Sequence, residues 1–321
     1  MTANVFERIR EACARVARRA QSVRLDPARV EALGRELARA VSGPILDDPA
    51  HRSFREPETT LAFVLTLDAI NFGSGWFPLL QKRPGMSGYF SIATALEEHF
   101  AARGAWRADE LASLTTRDCA RCFGQERAAS EVGELMSLYA QALNDLGRFL
   151  SVDYGGRFSG PVEEAGGSAA RLVECLASMP LFRDVARYGE FDVPFYKRAQ
   201  ITVADLANAF GGRGPGRFED LDALTLFADN LVPHVLRCEG VLHYAPSLER
   251  RIERGELLPS GCPEEIEIRA LAVHAVEGCV EAARRAGGET SAHRIDALLW
   301  HRGQRPEYKA LPRHRTRCTY Y

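Results

Sequence analysis

Lysine is nearly absent from this chain. Only three of its 41 basic residues are lysine (Lys82, Lys197 and Lys309), and the rest are arginine. Codon bias is the plain cause, but where any cation would serve the chain carries Arg, so each retained lysine becomes a candidate for a specific role. An excess of one charge is lacking too: 43 acidic residues offset the basic ones, for a formal net charge of -2, and no long run of either sign occurs. Duplex nucleic acid binding by phosphate neutralisation is therefore disfavoured, whereas a mononucleotide, needing only about two or three local cations, is not. No run of 18 apolar residues exists and the amphipathic opening Met1 to Arg8 has no apolar core for a signal peptide, so neither a membrane span nor secretion is expected. Eight scattered cysteines suit a reducing cytoplasm better than a disulfide framework. The eight histidines never fall at i and i+4 on one helix face, and neither a Gly-x-Ser-x-Gly elbow nor a His-Glu-x-x-His pair is present. No period of about 20 to 50 residues repeats, and no stretch has linker composition, so residues 1–321 are read as one domain.

What is present is helical periodicity. Val5, Ile9, Ala12 and Val16 recur at helical spacing over 5–19, and Asp26-Pro27 offers a cap and first-turn proline for a helix through Val41. Apolar stripes predict further helices over 58–72, 91–103, 109–123, 126–152, 168–178, 194–210, 219–230, 233–244, 247–256, 263–286 and 292–301. Strand signals are thin, with room for one short hairpin around Gly189; Pro44 to Arg55 and Gly211 to Gly216 read as loops. The expected fold class is all-α, a single irregular helical domain.

Few segments carry chemistry. Cys119-Ala-Arg-Cys122 has metal or redox spacing but no matching second pair, so ordinary helix cysteines are the better reading. Gly211-Gly-Arg-Gly-Pro-Gly216 lacks the Gly-Lys-Ser/Thr ending of a phosphate cradle. Lys197, in Pro194-Phe-Tyr-Lys-Arg-Ala-Gln200, stands in the first turns of a helix among aromatic and apolar neighbours, where an ammonium is partly desolvated. Asp229 ends an apolar helix four residues before Pro233, and the amides of the next helix N-terminus would favour its ionised form. The competing reading of both is a structural ion pair, including one with each other. In the tail Arg313-His-Arg315-Thr-Arg317, alternating guanidinium groups suit a phosphate, and Tyr320 and Tyr321 argue for docking rather than disorder.

With Phe195-Tyr-Lys-Arg-Ala-Gln200, Phe227-Ala-Asp229 plus Pro233, Glu265-Ile-Glu-Ile-Arg269, Asp296-x-x-Leu-Trp300, Arg317-Cys-Thr-Tyr-Tyr321 and Asp68-x-x-Asn71-Phe72 followed by Trp76, the chain resembles the queuosine salvage protein family. The specific matches cover about residues 60 to 90 and 190 to 321. The resemblance implies a fold similar to helix-hairpin-helix DNA glycosylases, without the Leu-Pro-Gly-x-Gly hairpin that grips DNA. It further implies hydrolysis of the N-glycosidic bond of a 7-deazaguanine nucleotide, queuosine 5′-phosphate, by a cytoplasmic monomer with no cofactor, no metal and no stable nucleic-acid binding. By the same resemblance Asp229 is catalytic and Lys197 lies close by; Asn230 departs from the aromatic residue that some relatives carry. Breaking such a bond passes through an oxocarbenium-like state that a carboxylate stabilises. For the substrate, Phe72 and Trp76 offer stacking faces, Asp68, Asn71 and Asp205 offer amide-edge or diol contacts, and Arg315, Arg317 and Tyr321 offer an anion site. A base-excision enzyme acting on polymer, and a non-catalytic nucleotide- or base-binding protein, are the alternatives.

Overall fold

Helix Val5–Ala17 starts where a capping box dictates: the Asn4 side chain accepts the Glu7 amide, and the Glu7 carboxylate accepts the Asn4 amide. Its apolar stripe of Val5, Ile9, Cys13 and Val16 is buried. The computed structural model describes residues 3–40 and 53–321. Their contacts group into two compact units, each assembled from sequence-distant segments.

The first unit comprises described residues 3–40, 184–197 and 220–317. Its axis is helix Pro263–Arg285, buried over most of its length, charged residues Glu265, Glu267 and Arg269 included. Helices Val5–Ala17 and Pro27–Ala40 pack against it. Gly34 permits the second contact, because an added Cβ would lie 2.6 Å from both the Cys279 carbonyl oxygen and the Ala282 side chain. Strand Val23–Leu25 pairs antiparallel with Leu242–Tyr244. Its approach is held by Glu267 of the axial helix, whose carboxylate accepts the amides of Gln21, Ser22 and Val23 and the Tyr188 hydroxyl. A second antiparallel pair, Val185–Tyr188 with Phe191–Pro194, turns at Gly189 (φ 56°), the hairpin expected there. Helices Val232–Cys238, Pro246–Glu253, Ala292–Gly303 and Pro306–Lys309 complete the unit.

The second unit comprises described residues 53–183, 198–219 and 318–321. Helix Ser130–Tyr154 receives helices Pro57–Ala69, Ala108–Leu111 and Thr116–Cys122. Every residue of Pro57–Ala69 from Thr60 onward is buried. Helices Gly88–Arg103, Gly160–Ala165 and Ala169–Leu176, and most of Lys197–Ala209, belong here as well.

The protein is thus mostly helical, roughly as the all-α expectation has it, with two small two-stranded antiparallel sheets among the described residues. Among the described residues no helix is long and apolar enough to cross a membrane. The helix expected through Val41 is described over Pro27–Ala40; Val41 lies outside the described residues, as do 44–52 of the expected loop. The helix expected over 109–123 is two, because Thr115 and Asp118 form a capping box that starts a new helix. The helix expected over 233–244 stops at Cys238; Gly240 takes φ 72° and the chain becomes a strand. The expected helix over 219–230 is absent: a 3-10 turn at Leu221–Ala223 leads into a buried non-helical run to Asp229.

Three buried histidines of the first unit titrate low. Burial pushes His234 and His293 down to about 4 and His314 to about 3, the neighbouring Arg313 adding to the shift of His314. Below the ordinary value of about 6.5 the unfolded rings take up protons that the folded rings refuse. Their penalty is therefore absent above that pH and grows as pH falls toward the folded values. Stability should drop between pH 6.5 and 5 with a limiting slope of about 4 kcal/mol per pH unit, for three protons. Urea midpoints that stay constant from pH 7 to 5 would show that these rings are not excluded from protonation.

Candidate functional site

The first unit holds a buried ion pair on which two functional segments converge. Arg269 and Asp184 are 1% and 2% exposed. Arg269 Nη1 and Nη2 donate to Asp184 Oδ1 and Oδ2 at 3.0 and 2.5 Å, and Glu265 lies 3.6 Å from Nη1. Its Nε donates to the Ala228 carbonyl at 2.9 Å, and the guanidinium lies 4.0 Å from the centre of the Phe195 ring. Burying two charges is costly unless their hydrogen-bonding groups are occupied, and this geometry occupies the fork.

Asp184 reaches Lys197. Its main-chain oxygen accepts the amides of Phe195 and Tyr196 at 2.9 and 3.3 Å, and its Oδ2 accepts the Lys197 amide at 3.2 Å. Tyr196 takes φ 47°, a left-handed conformation uncommon for a side chain of this size, and it turns the hairpin strand into helix Lys197–Ala209. Pro194 accordingly ends the strand rather than opening the helix, because its main chain belongs to the hairpin register opposite Val185. Lys197 is the first helical residue and is buried.

The segment before Asp229 is pinned residue by residue, which is why it is not helical. The Phe227 amide donates to Asp296 Oδ1 at 3.2 Å, Ala228 gives its carbonyl to Arg269, and Asn230 Nδ2 donates to the His314 carbonyl at 3.4 Å. Asp229 Oδ1 accepts the amides of Leu231 and Val232 at 2.8 and 3.0 Å, at the start of helix Val232–Cys238, which has Pro233 in its first turn. These are the orphan donors of a helix N-terminus. Asp229 is half-buried, and its Oδ2 accepts no hydrogen bond among the described residues. A cation that feels the Asp229 charge is Arg313, whose pKa burial lowers while the Asp229 carboxylate opposes the shift.

The tail keeps its alternation, with His314 and Thr316 buried and Arg313, Arg315 and Arg317 half-buried. Arg315 is used within the fold: its guanidinium donates to the Gly255 carbonyl at 2.7 Å, and its own carbonyl accepts the Leu258 amide.

The other candidates lie in the second unit. Phe72 and Trp76 are each 1% exposed. The Phe72 ring meets Tyr139 edge-on at 5.1 Å, with the Arg198 guanidinium 4.8 Å from its centre, and Trp76 Nε1 donates to Glu134 at 3.1 Å. Asn71 Nδ2 donates to Asp68 Oδ1 at 3.3 Å; Asp68 and Asp205 are buried. Tyr321 is buried, and its main-chain oxygen accepts the amides of Gly73 and Ser74 at 3.0 and 3.3 Å. That contact needs Gly73, which has φ 112° and whose added Cβ would meet Leu135 at 2.8 Å. Arg198 ties the same region together, donating to the Ala69 and Leu181 carbonyls.

Burial pushes the Cys119 and Cys122 thiols up to about 12, so neither supplies a thiolate. Among the described residues no group of three or more His, Cys, Asp or Glu side chains could hold a metal ion. Sequence reasoning missed Asp184 and the role of Arg269. Arg269 was visible only as part of a motif, and Asp184, 85 residues from its partner, carries no local signal.

A family model described as "Queuosine salvage protein" matches residues 50–321. A protein of Sphaerobacter thermophilus named queuosine 5′-phosphate N-glycosylase/hydrolase is 39% identical over 316 residues, 96% of this chain and 95% of that one. Proteins of the same name from Dictyostelium discoideum (33% over 266 residues, 82% and 79%) and Mus musculus (36% over 197 residues, 58% of each) are similar as well.

Removing one member of a buried ion pair leaves the other charge unpaired, at a cost of about 3–5 kcal/mol. Arg269→Met and Asp184→Leu should each destabilise by that order, and the double variant by clearly less than the sum. Strict additivity in urea unfolding would mean that the two side chains are not coupled.

Proposed function

This chain belongs to the queuosine salvage protein family, and on that premise we propose that it hydrolyses the N-glycosidic bond of queuosine 5′-phosphate, releasing queuine for salvage into tRNA. The observation that carries this reading is a relative of that name matched over nearly the whole of both chains. Water adds to C1′ of the ribose, the C1′–N bond breaks, and the departing base takes up a proton. Asp229 is the group we assign to the reacting carbon. With Oδ1 fixed by two amides and Oδ2 unbonded, its carboxylate is preorganised to meet positive charge that develops only as the bond breaks. Lys197, buried at the start of its helix, is assigned to orienting Asp229 or to the substrate's ribose or phosphate. In the first unit, the tail that carries Arg317 is assigned to the anionic end.

The helical framework is read as similar to that of helix-hairpin-helix DNA glycosylases. The chain repeatedly crosses between the two units, so we treat it as one folding domain. We further propose that it works in the cytoplasm as a monomer, without a cofactor, and on a free nucleotide rather than on bound nucleic acid, in keeping with a net charge of -2.

Incubation with queuosine 5′-phosphate should yield free queuine by mass spectrometry; no release would refute the assignment. Asp229→Asn keeps size and much of the hydrogen bonding while removing the charge. It should fold, still bind the nucleotide, and lose about 100-fold or more in kcat. Turnover within a few-fold of wild type would make Asp229 a structural carboxylate. Lys197→Arg should cost at least about tenfold in kcat/KM, or about 1.4 kcal/mol, because a guanidinium differs in size and geometry from an ammonium. Unchanged kinetics would remove the lysine requirement.

A further inference from the structure

Arg313 has a fixed backbone and an unused side chain. Arg237 donates to the Pro312 carbonyl at 2.6 Å and Asn230 Nδ2 donates to the His314 carbonyl at 3.4 Å, so the main chain is tied on both sides of residue 313. The guanidinium itself has no hydrogen bond or ion pair among the described residues, although it is only partly exposed. It is not the partner of Asp229, whose acceptor bonds go to the Leu231 and Val232 amides. The two are nonetheless neighbours, since Asn230, next to Asp229, bonds the carbonyl of His314, next to Arg313. Arg315, by contrast, is spent on the Gly255 carbonyl. Desolvating an arginine without occupying its five donors is unfavourable, and a planar fork held beside a reacting centre suits the oxygens of a phosphate monoester.

We infer that Arg313 receives the 5′-phosphate of the substrate and so sets the preference for nucleotide over nucleoside. The inference rests on assigning Asp229 to the reacting carbon. Binding energy gathered at the phosphate, remote from the bond that breaks, can be used to hold C1′ against the carboxylate.

The test compares kcat/KM for queuosine 5′-phosphate and for the nucleoside queuosine in wild type, Arg313→Gln and Arg313→Lys, each checked for a wild-type melting temperature. The ratio of nucleotide to nucleoside efficiency should fall about 10- to 100-fold in Arg313→Gln, the range expected for losing charge-assisted hydrogen bonds. It should fall less in Arg313→Lys, which keeps the charge without the fork. An unchanged ratio, whether both substrates lose equally or neither loses, overturns the inference; an equal loss would mean that Arg313 acts through Asp229. Calorimetric titration with ribose 5-phosphate provides a readout free of catalysis. Binding should weaken at least about tenfold in Arg313→Gln, and equal affinity overturns the inference. If the wild type releases queuine from neither substrate, the functional assignment fails while the titration still decides the role of Arg313. Should Arg313→Gln not fold, Arg313→Lys carries both comparisons, and an unchanged ratio with unchanged affinity is then the overturning result.

Discussion

The ion pair between Arg269 and Asp184 is the constraint on which the first unit's functional half depends. Fork geometry lets one guanidinium serve two segments at once. Its Nη atoms engage Asp184, and its Nε holds the Ala228 carbonyl, one residue before Asp229. Asp184 in turn takes the Lys197 amide through its carboxylate and the two preceding amides through its carbonyl. Lysine at position 269 would supply one point charge and lose the planar fork. The pair helps order both loops, and the left-handed Tyr196 is sustained by the Asp184 carbonyl that accepts its amide.

The axial helix is unusual in carrying charge where its shape demands burial. Glu265, Glu267 and Arg269 are each 1–2% exposed. All three are engaged. Glu267 caps the incoming strand at Gln21 to Val23, Arg269 binds Asp184, and Glu265 accepts the Gly261 amide while lying near Arg269. Polar groups in a core are tolerated when their partners are supplied, and here the partners are mostly main-chain groups of loops. A single rigid helix therefore organises the irregular parts of its unit.

This arrangement suits the electrostatic role proposed for Asp229. A carboxylate that must reorient to meet a developing cation spends part of its stabilisation on the reorganisation, whereas one whose first oxygen is already bonded to two helix-start amides does not. The non-helical run from Leu224 to Ala228 is as important as the charge, because it delivers Asp229 to those amides with its neighbours' polar groups already satisfied.

The sequence by itself determined the helical class, the near-neutral charge and the hairpin at Gly189, and it offered two candidates for chemistry: Lys197, a scarce lysine in the first turns of a helix, and Asp229, by its place before Pro233. These are legible because periodicity, composition and helix-start amides are local properties. Tertiary structure alone decided that 219–230 would not be helical, since the apolar stripe there is buried from all sides and its main chain is satisfied by Asp296 and Arg269 rather than by its own turns. It alone gave Arg315 a loop carbonyl as partner and brought Asp184 to Arg269 across 85 residues. Pairing at such separation depends on which surfaces the helices bury, and no window of sequence contains that information.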